Sequence, residues 1–465
     1  MRREWLLAIA CACIAVAIIA VRPRPTPGPF LRDFEAYWAA GSAWNAHADP
    51  YGRAIWNEER TIAGVDARRD EALPFVGPPA TLLAWGVFAR LPYAGAAALW
   101  SAMLAGFLLL LVAAAIRGSG KSLAFLLFLG ALALAIGFGP VTSDLALGQL
   151  ALPAFASATL VALAAAGSLP LAIAAACFAF AQPNASLGLI ARLGRNRTTL
   201  AILLGAVATY VLGSFAAGWA WPAAYARVLA EHSAAERLSA IQLSPASVAY
   251  GFGATPLEAK IAGAGFALLA VAAAIILARR TRDGFARFAA FSALLPFVAG
   301  FFHEHDLVVA YAAGVWCALR TRGTTRAIAL GGTLLVGVDW LGLAQRPTGI
   351  VESALLALAA VAAFAALGEE TELRATLPVI AGFAALFGVA TWLAVNNPAP
   401  VWPDAMRAFH VPAGVSIAVL WSAEQHASGL FAPVPAWALL RSLSLLGCAL
   451  LPYAIYRHSS YCRTA

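Results

Sequence analysis

Long apolar runs, separated by short basic or proline-containing segments, set the pattern of the chain. A helix that crosses about 30 Å of hydrocarbon needs about 20 apolar residues. The runs that reach or approach this length are 5–21, 95–116, 122–139, 149–166, 198–216, 257–278, 285–300, 307–320, 327–343, 350–367, 376–394 and 436–455. The pattern therefore predicts an all-α polytopic membrane protein, in which one integral membrane domain of residues 1–465 contains about twelve transmembrane helices.

Two further segments do not fit a simple span. Pro78-Pro79 interrupts the apolar segment 76–92, and Pro183 interrupts 170–190. Either segment can be a re-entrant hairpin or a short additional span, because irregular backbone at membrane depth is tolerated where it lines a protein cavity.

Basic residues follow alternate apolar runs, as the positive-inside rule requires of cytoplasmic loops. The clusters are Arg117/Lys121, Arg192/Arg195/Arg197, Arg279/Arg280/Arg282/Arg287 and Arg320/Arg322/Arg326. This alternation predicts that both termini are cytoplasmic and that the long loops 22–75, 217–256 and 395–435 face outward. The residues after the first run do not resemble a cleavage site, so we expect a retained N-terminal anchor. The predicted location is an inner (plasma) membrane of bacterial type, with any active site on the outer face.

Composition excludes the main alternatives to a membrane protein. The chain is 62% hydrophobic and only 12% charged, with a mean hydropathy of +0.79, whereas a soluble globular chain has about 25% charged residues. So much apolar surface also excludes disorder. The net charge of +8 follows from the topology, so no nucleic-acid partner is predicted. The six cysteines form no CxxC pair, and neither a disulfide framework nor a cysteine-based zinc site is indicated.

The first outer loop carries the most informative polar residues. A short helix is predicted at the membrane interface, with an apolar stripe of Phe30, Phe34 and Trp38. Asp33 and Tyr37 are four residues apart and share a neighbouring face, and Glu35 adds a second carboxylate. The alternative interpretation is that the carboxylate only complements a helix dipole.

A second polar group, His303-Glu304-His305-Asp306, lies at the predicted outer end of two spans. Titratable residues at such a boundary are costly and are often functional. His303 and His305 are two residues apart and would diverge on a helix, so a zinc site is not favoured. His303 and Asp306 can share a face and contact a polar or anionic ligand. A solvated loop tip is the alternative.

Other polar residues are weaker candidates. Asp144 and Gln149 lie at another outer turn, and Gln182-Pro183-Asn184 interrupts an apolar segment. The chain has no Walker A motif, no GxGxxG opening a helix and no GxSxG. ATP hydrolysis, nicotinamide chemistry and serine hydrolysis are therefore not supported.

Several short motifs, taken in order, resemble glycosyltransferase family 87, the polyprenyl-phosphate-mannose-dependent mannosyltransferases of GT-C architecture. They are Asp33-Phe34-x-x-Tyr37, Asp49-Pro50-Tyr51, Gly77-Pro78-Pro79, Leu147-Gly148-Gln149-Leu150, Gln182-Pro183-Asn184, and Pro296-Phe297 leading to His305-Asp306-Leu307. The likeness covers roughly residues 30–310, about two-thirds of the chain. Each motif is loosely specific, so their common order carries the resemblance.

The resemblance implies a GT-C-like bundle with an outward-facing cavity and a sugar, mannose in the family, carried on polyprenyl phosphate. It implies that Asp33 is the general base and that the acceptor is a hydroxyl of a glycan or lipid. We predict a substrate-binding set of Glu35, Tyr37, Tyr51, Gln149, His303, His305 and Asp306, with membrane lipids as partners and with no cofactor and no metal. Two departures stand out: Gln182-Pro183 replaces the family's Lys-Pro, and Val76-Gly77 replaces an aromatic residue before the paired prolines.

The chemistry of the donor supports a single catalytic carboxylate. A lipid phosphate leaves as a stabilised anion, so the enzyme has to remove a proton from the acceptor hydroxyl. The pair of carboxylates used by most glycoside hydrolases is not needed.

Two other functions remain open from the sequence. A transporter or lipid flippase would place ionisable residues near the bilayer midplane and would show internal repeats. The chain shows no convincing repeat, and its acidic and histidine residues cluster at span ends, which favours the enzyme. A catalytically inactive membrane scaffold is the third possibility.

Overall fold

The computed structural model describes residues 3–20, 30–65, 73–163, 167–194, 196–346, 349–369, 373–401, 409–411 and 414–464. The described residues form α-helices and short 3-10 turns and contain no strand. The helices are α1 (Arg3–Ala20), α2 (Phe34–Asn45), α3 (Ala54–Glu59), α4 (Leu82–Phe88), α5 (Tyr93–Gly118), α6 (Phe125–Ile136), α7 (Gly139–Leu147), α8 (Ala151–Leu163), α9 (Leu169–Ala179), α10 (Pro183–Ser186), α11 (Arg197–Ala217), α12 (Trp221–Glu236), α13 (Pro245–Gly251), α14 (Pro256–Arg280), α15 (Gly284–Ala293), α16 (Leu295–Val298), α17 (Tyr311–Arg320), α18 (Gly323–Gly337), α19 (Trp340–Gln345), α20 (Ile350–Leu367), α21 (Leu373–Asn396), α22 (Ile417–Ala427) and α23 (Pro435–Thr464). The 3-10 turns are Pro79–Thr81, Leu187–Arg192 and His305–Ala310.

The described helices identify a multi-pass helical membrane protein. Seven of them are long and apolar enough to cross a bilayer. The number becomes eight if α6 and α7, which meet at an angle of 71°, form one broken span. The predicted number of about twelve spans is therefore not confirmed.

Several predicted spans are instead short or interrupted helices inside the bundle. The run 285–300 divides into α15 and α16, and the run 307–320 begins as a 3-10 turn before α17. Nearly every side chain of α17 is buried. A helix buried in protein on all sides is as apolar as one that faces lipid, so hydropathy alone does not separate the two.

Protein surrounds most of α2, the helix predicted to lie at the membrane interface. Phe34 is fully buried and stacks on Trp100, with ring centroids 6.0 Å apart. Phe30 lies before the helix and is exposed. Hydrophobic burial against α4 and α5 therefore fixes this part of the loop 22–75.

Close packing of α2 on α4 depends on Gly41. A Cβ atom at this position would collide with the carbonyl oxygen of Trp85 and lie 2.9 Å from the backbone nitrogen of Gly86. We expect Gly41→Ala to destabilise the protein by about 1–3 kcal/mol, because backbone atoms cannot move aside as a flexible side chain can. The matched control is Gly106→Ala in α5, where the added methyl group meets open space. Equal thermal unfolding temperatures of the two variants in detergent would contradict the prediction.

Residues of the predicted cytoplasmic clusters lie at one end of the molecule, together with parts of both terminal helices. Arg3 in α1 donates to the carbonyl oxygen of Leu367 at 3.0 Å. Arg326 donates to the carbonyl oxygen of Ala365 at 2.8 Å. The ring of His458 in α23 lies 5.4 Å from that of Trp316. We call this region the basic end.

The predicted site residues lie at the other end of α5. The hydroxyl group of Tyr93, the first residue of α5, donates to the carbonyl oxygens of Phe30 and Leu31, next to Asp33. Lys121 follows the last turn of the same helix at the basic end. At 1.5 Å per residue the 26 residues of α5 extend about 39 Å, enough to cross a bilayer.

Candidate functional site

Asp33 lies immediately before α2 and makes two hydrogen bonds with the end of α7 and the turn that follows it. Its Oδ2 accepts a hydrogen bond from Nε2 of Gln149 at 2.5 Å, and its backbone nitrogen donates to the carbonyl oxygen of Leu147 at 3.0 Å. The Tyr37 hydroxyl donates to Oε1 of Gln149 at 2.8 Å. The predicted common face of Asp33 and Tyr37 is confirmed, and Gln149 connects the two side chains.

A left-handed turn at Gly148 places Gln149 against Asp33. Gly148 has φ of +78°, and a Cβ atom here would lie 2.9 Å from the Cβ of Leu31 and 3.0 Å from that of Phe34. Its carbonyl oxygen accepts a hydrogen bond from the Trp100 indole at 2.8 Å. Glycine suits this position both because of its backbone conformation and because of the close approach of the first outer loop.

The histidine segment forms a tight turn around Asp306. Oδ2 of Asp306 accepts a hydrogen bond from the backbone nitrogen of His303 at 2.8 Å, and Oδ1 accepts one from Nε2 of Gln182 at 3.2 Å. Asp306 is buried, whereas the side chain of His303 remains 18% exposed. Gln182, where the resembled family has lysine, thus contacts the aspartate of this segment directly.

Glu236 is the site residue that the sequence analysis missed. Its carboxylate is fully buried and accepts hydrogen bonds from Nε2 of Gln242 at 2.8 Å and from the Trp421 indole at 2.9 Å. Oε1 of Glu236 lies 3.3 Å from Nε2 of His303. The loop 217–256 therefore brings a carboxylate to the histidine segment. One isolated glutamate in a polar loop gave no signal of this contact.

The electrostatic environment shifts the pKa values of the two histidines in opposite directions. Burial lowers the pKa of His303, but the Glu236 carboxylate, with smaller contributions from Asp306 and Asp33, raises it above its ordinary value. Burial, together with the charge on His303, lowers the pKa of His305 to about 3. His303 thus holds a proton more readily than an ordinary histidine, and His305 is neutral. Nε2 of His303 also lies 3.0 Å from the amide nitrogen of Gln242, next to Glu236. Asp33 is close enough to act on the pKa of both.

Burial and the neighbouring charges also shift the pKa values of Asp306 and Tyr37. Burial raises the pKa of Asp306, and the neighbouring charge of His303 opposes that rise. Burial also raises the pKa of Tyr37, and the charge of Asp33 adds to the effect. Tyr37 therefore keeps its proton and can donate it in the hydrogen bond to Gln149.

The predicted divergence of His303 and His305 is wrong, because the 3-10 turn begins only at His305 and His303 lies before it. The two ring centroids are 5.3 Å apart. His303, His305 and Asp306 each offer a ligand atom, and these atoms lie within 4.8 Å of one another. This group of three residues could therefore hold a metal ion. The position of His303 is also explained without a metal, by a proton shared between its Nε2 and the Glu236 carboxylate.

Tyr51 and Glu35 lie apart from these contacts. The Tyr51 hydroxyl donates to the carbonyl oxygen of Gly77 at 2.7 Å. The ring of Phe75 separates Tyr51 from Tyr37, with centroid distances of 5.3 Å and 6.3 Å respectively. Glu35 is buried in the first turn of α2, two residues after Asp33.

Beyond Phe75 lies a cavity of about 410 Å³ that Tyr51 helps to line. Its wall is largely aromatic and aliphatic and includes Trp44, Asp49, Pro79, Trp221 and Tyr225. Asp33 is not among the described lining residues. Residues 22–29 and 66–72 of the first outer loop, and 402–408 and 412–413 of the third, lie outside the described residues.

Comparison of the chain with protein-family models, with curated proteins and with solved structures gave no match.

Proposed function

We propose that the protein is a membrane glycosyltransferase similar to family 87, which moves a sugar from a polyprenyl-phosphate donor to an acceptor hydroxyl. One observation carries the proposal. Asp33, a half-buried carboxylate held by Gln149, lies within electrostatic range of His303, whose imidazole is 3.3 Å from the buried carboxylate of Glu236. A base and a cation at one site are what this displacement requires.

In the proposed reaction the acceptor oxygen attacks the anomeric carbon of the donor. The bond from that carbon to the phosphate oxygen breaks, and its electron pair leaves with the polyprenyl phosphate. Asp33 takes the proton of the acceptor hydroxyl through the oxygen that Gln149 does not hold. The imidazolium of His303 stabilises the departing phosphate. It would supply the positive charge that the lysine of the resembled family provides at the position of Gln182.

The proposed orientation places this site on the outer face of the plasma membrane. The positive-inside rule assigns the basic end to the cytoplasm together with both termini, and α5 extends from there to the site. The position of Asp33 near the first residue of α5, rather than at mid-helix, supports transfer at the membrane surface over transport through the bilayer.

A donor-cleavage assay tests the proposal. Purified protein in nanodiscs is given radiolabelled polyprenyl-phosphate mannose and candidate glycan or lipid acceptors, with glucose and pentose donors alongside. We expect release of polyprenyl phosphate in proportion to glycosylated product. Movement of intact donor across the bilayer without cleavage would instead support a flippase.

Metal removal distinguishes the two interpretations of the histidine segment. Because an ion pair with Glu236 explains the placement of His303, we expect sugar transfer to be unchanged after treatment with excess EDTA and gel filtration. Loss of transfer that added Zn²⁺ or Mn²⁺ restores would show that His303, His305 and Asp306 bind a metal during the reaction.

A further inference from the structure

A second cavity, of about 470 Å³, lies at the basic end, far from Asp33. The side chains that matter to its charge are Lys121, Arg320, Arg322, Arg457 and Glu369. Among the described lining residues, four formal positive charges accompany one negative charge, without counting His458. Glycosyl transfer at the opposite end makes no use of this cavity.

Two of these cationic side chains already pair with the carboxylate of Glu369. Lys121 pairs with one carboxylate oxygen of Glu369, and Nη2 of Arg322 lies 3.2 Å from the other. These three residues come from the loop after α5, the loop before α18 and the end of α20, so the fold brings them together from distant parts of the chain. A phosphate presents similar oxygens with more charge, and Arg and Lys bind it in the same way.

The start of α18 adds a further attraction for an anion. Thr324 and Thr325 lie in the first turn of this 15-residue helix and line the cavity. Backbone N–H groups in a first turn have no acceptor within their helix, and the helix dipole makes this end positive. Helix N-termini combined with basic side chains are common sites for phosphate groups.

The level of the cavity along the candidate membrane spans indicates where the phosphate comes from. Three candidate membrane spans end beside it: α5 shortly before Lys121, α20 shortly before Glu369, and α23 around Arg457. A ligand here lies where apolar helices meet water, which is the level of lipid headgroups. Basic pockets between membrane helices are suited to anionic headgroups. We propose that this cavity binds the phosphate of an anionic membrane lipid.

Lipid binding to the full-length protein tests this proposal independently of any transfer activity. Thermal stabilisation in neutral detergent is titrated with phosphatidylglycerol, with phosphatidylcholine and with inorganic phosphate as separate arms. We expect phosphatidylglycerol alone to stabilise the protein at low concentration. Arg322→Gln should weaken its apparent affinity about fivefold, the effect of one basic residue near an anionic surface.

Two further variants test the sign of the effect and its specificity for the cavity. Glu369→Gln removes the resident carboxylate, so it should strengthen phosphatidylglycerol binding while Arg322→Gln weakens it. Arg282→Gln is the matched control, because Arg282 is exposed and does not line the cavity. Equal weakening by Arg282→Gln, or no change with Glu369→Gln and Arg322→Gln, would overturn the site. Equal stabilisation by inorganic phosphate would overturn its assignment to a lipid.

Discussion

Asp33→Asn is expected to lower the rate of sugar transfer by about 10²–10⁴-fold, the usual contribution of a general base. The substitution removes the group that accepts the acceptor's proton but leaves an oxygen for the hydrogen bond from Gln149. The fold around α2 should therefore persist, since Phe34 and its aromatic neighbours are untouched. Release of polyprenyl phosphate from labelled donor, measured at saturating acceptor, reports the effect on turnover.

The matched control is Asp283→Asn at the basic end. Asp283 caps α15 by accepting hydrogen bonds from the backbone nitrogens of Phe285 and Ala286. Asparagine is an equally good cap, and the Trp316 indole that also donates to Asp283, at 3.3 Å, lies at the basic end, so this variant should keep its activity. If Asp33→Asn is folded and turns over donor at the wild-type rate, Asp33 is not the base and the proposed mechanism fails.

Local spacing predicted the Asp33 part of the site well. Four residues along a helix bring two side chains to one face, and Asp33 and Tyr37 do meet there through Gln149. The sequence could not show that Gln149 would be the connection, because 116 residues separate it from Asp33. Its position depends on the left-handed turn at Gly148, which has to pack under the first outer loop before the contact exists.

The arrangement of the histidine segment could not be predicted from residue spacing. Helical geometry was the wrong basis for judging His303 and His305, since the turn around Asp306 aims both rings to one side. Glu236 reaches His303 only because α12 and α22 enclose it, with Trp421 as its donor. Such contacts between distant loops follow from tertiary packing and leave no periodic pattern.

The number of membrane spans was hard to predict for a related reason. Apolar length specifies that a helix avoids water, but not whether lipid or protein surrounds it. The window of α14 is 11% buried in the protein, whereas α17 is almost wholly enclosed. Both appeared as predicted spans, and only packing separates them.

Loss of His303 is expected to lower transfer by about 10²–10³-fold, the effect of removing one group that stabilises developing negative charge. His303→Gln should cost as much as His303→Ala, because glutamine restores a hydrogen-bond donor but no charge. A large recovery with glutamine would show that charge is not what the imidazole supplies. Turnover of labelled donor by purified variants, with folding checked by thermal unfolding, makes the comparison.

The pH dependence of turnover follows from the ion pair of His303 with Glu236. The active form of His303 is protonated, and its pKa is raised, so transfer should persist above the ordinary histidine pKa of about 6.5 and fall as the pH rises further. Glu236→Gln removes the carboxylate that contributes most to raising the pKa of His303 against the effect of burial. The pKa of His303 should then fall, and the loss of activity at alkaline pH should begin at lower pH. Glu231→Gln, an exposed change in the same helix, should leave the profile in place. An unchanged profile in Glu236→Gln would contradict this role, because His305, with a pKa of about 3, does not titrate in that range.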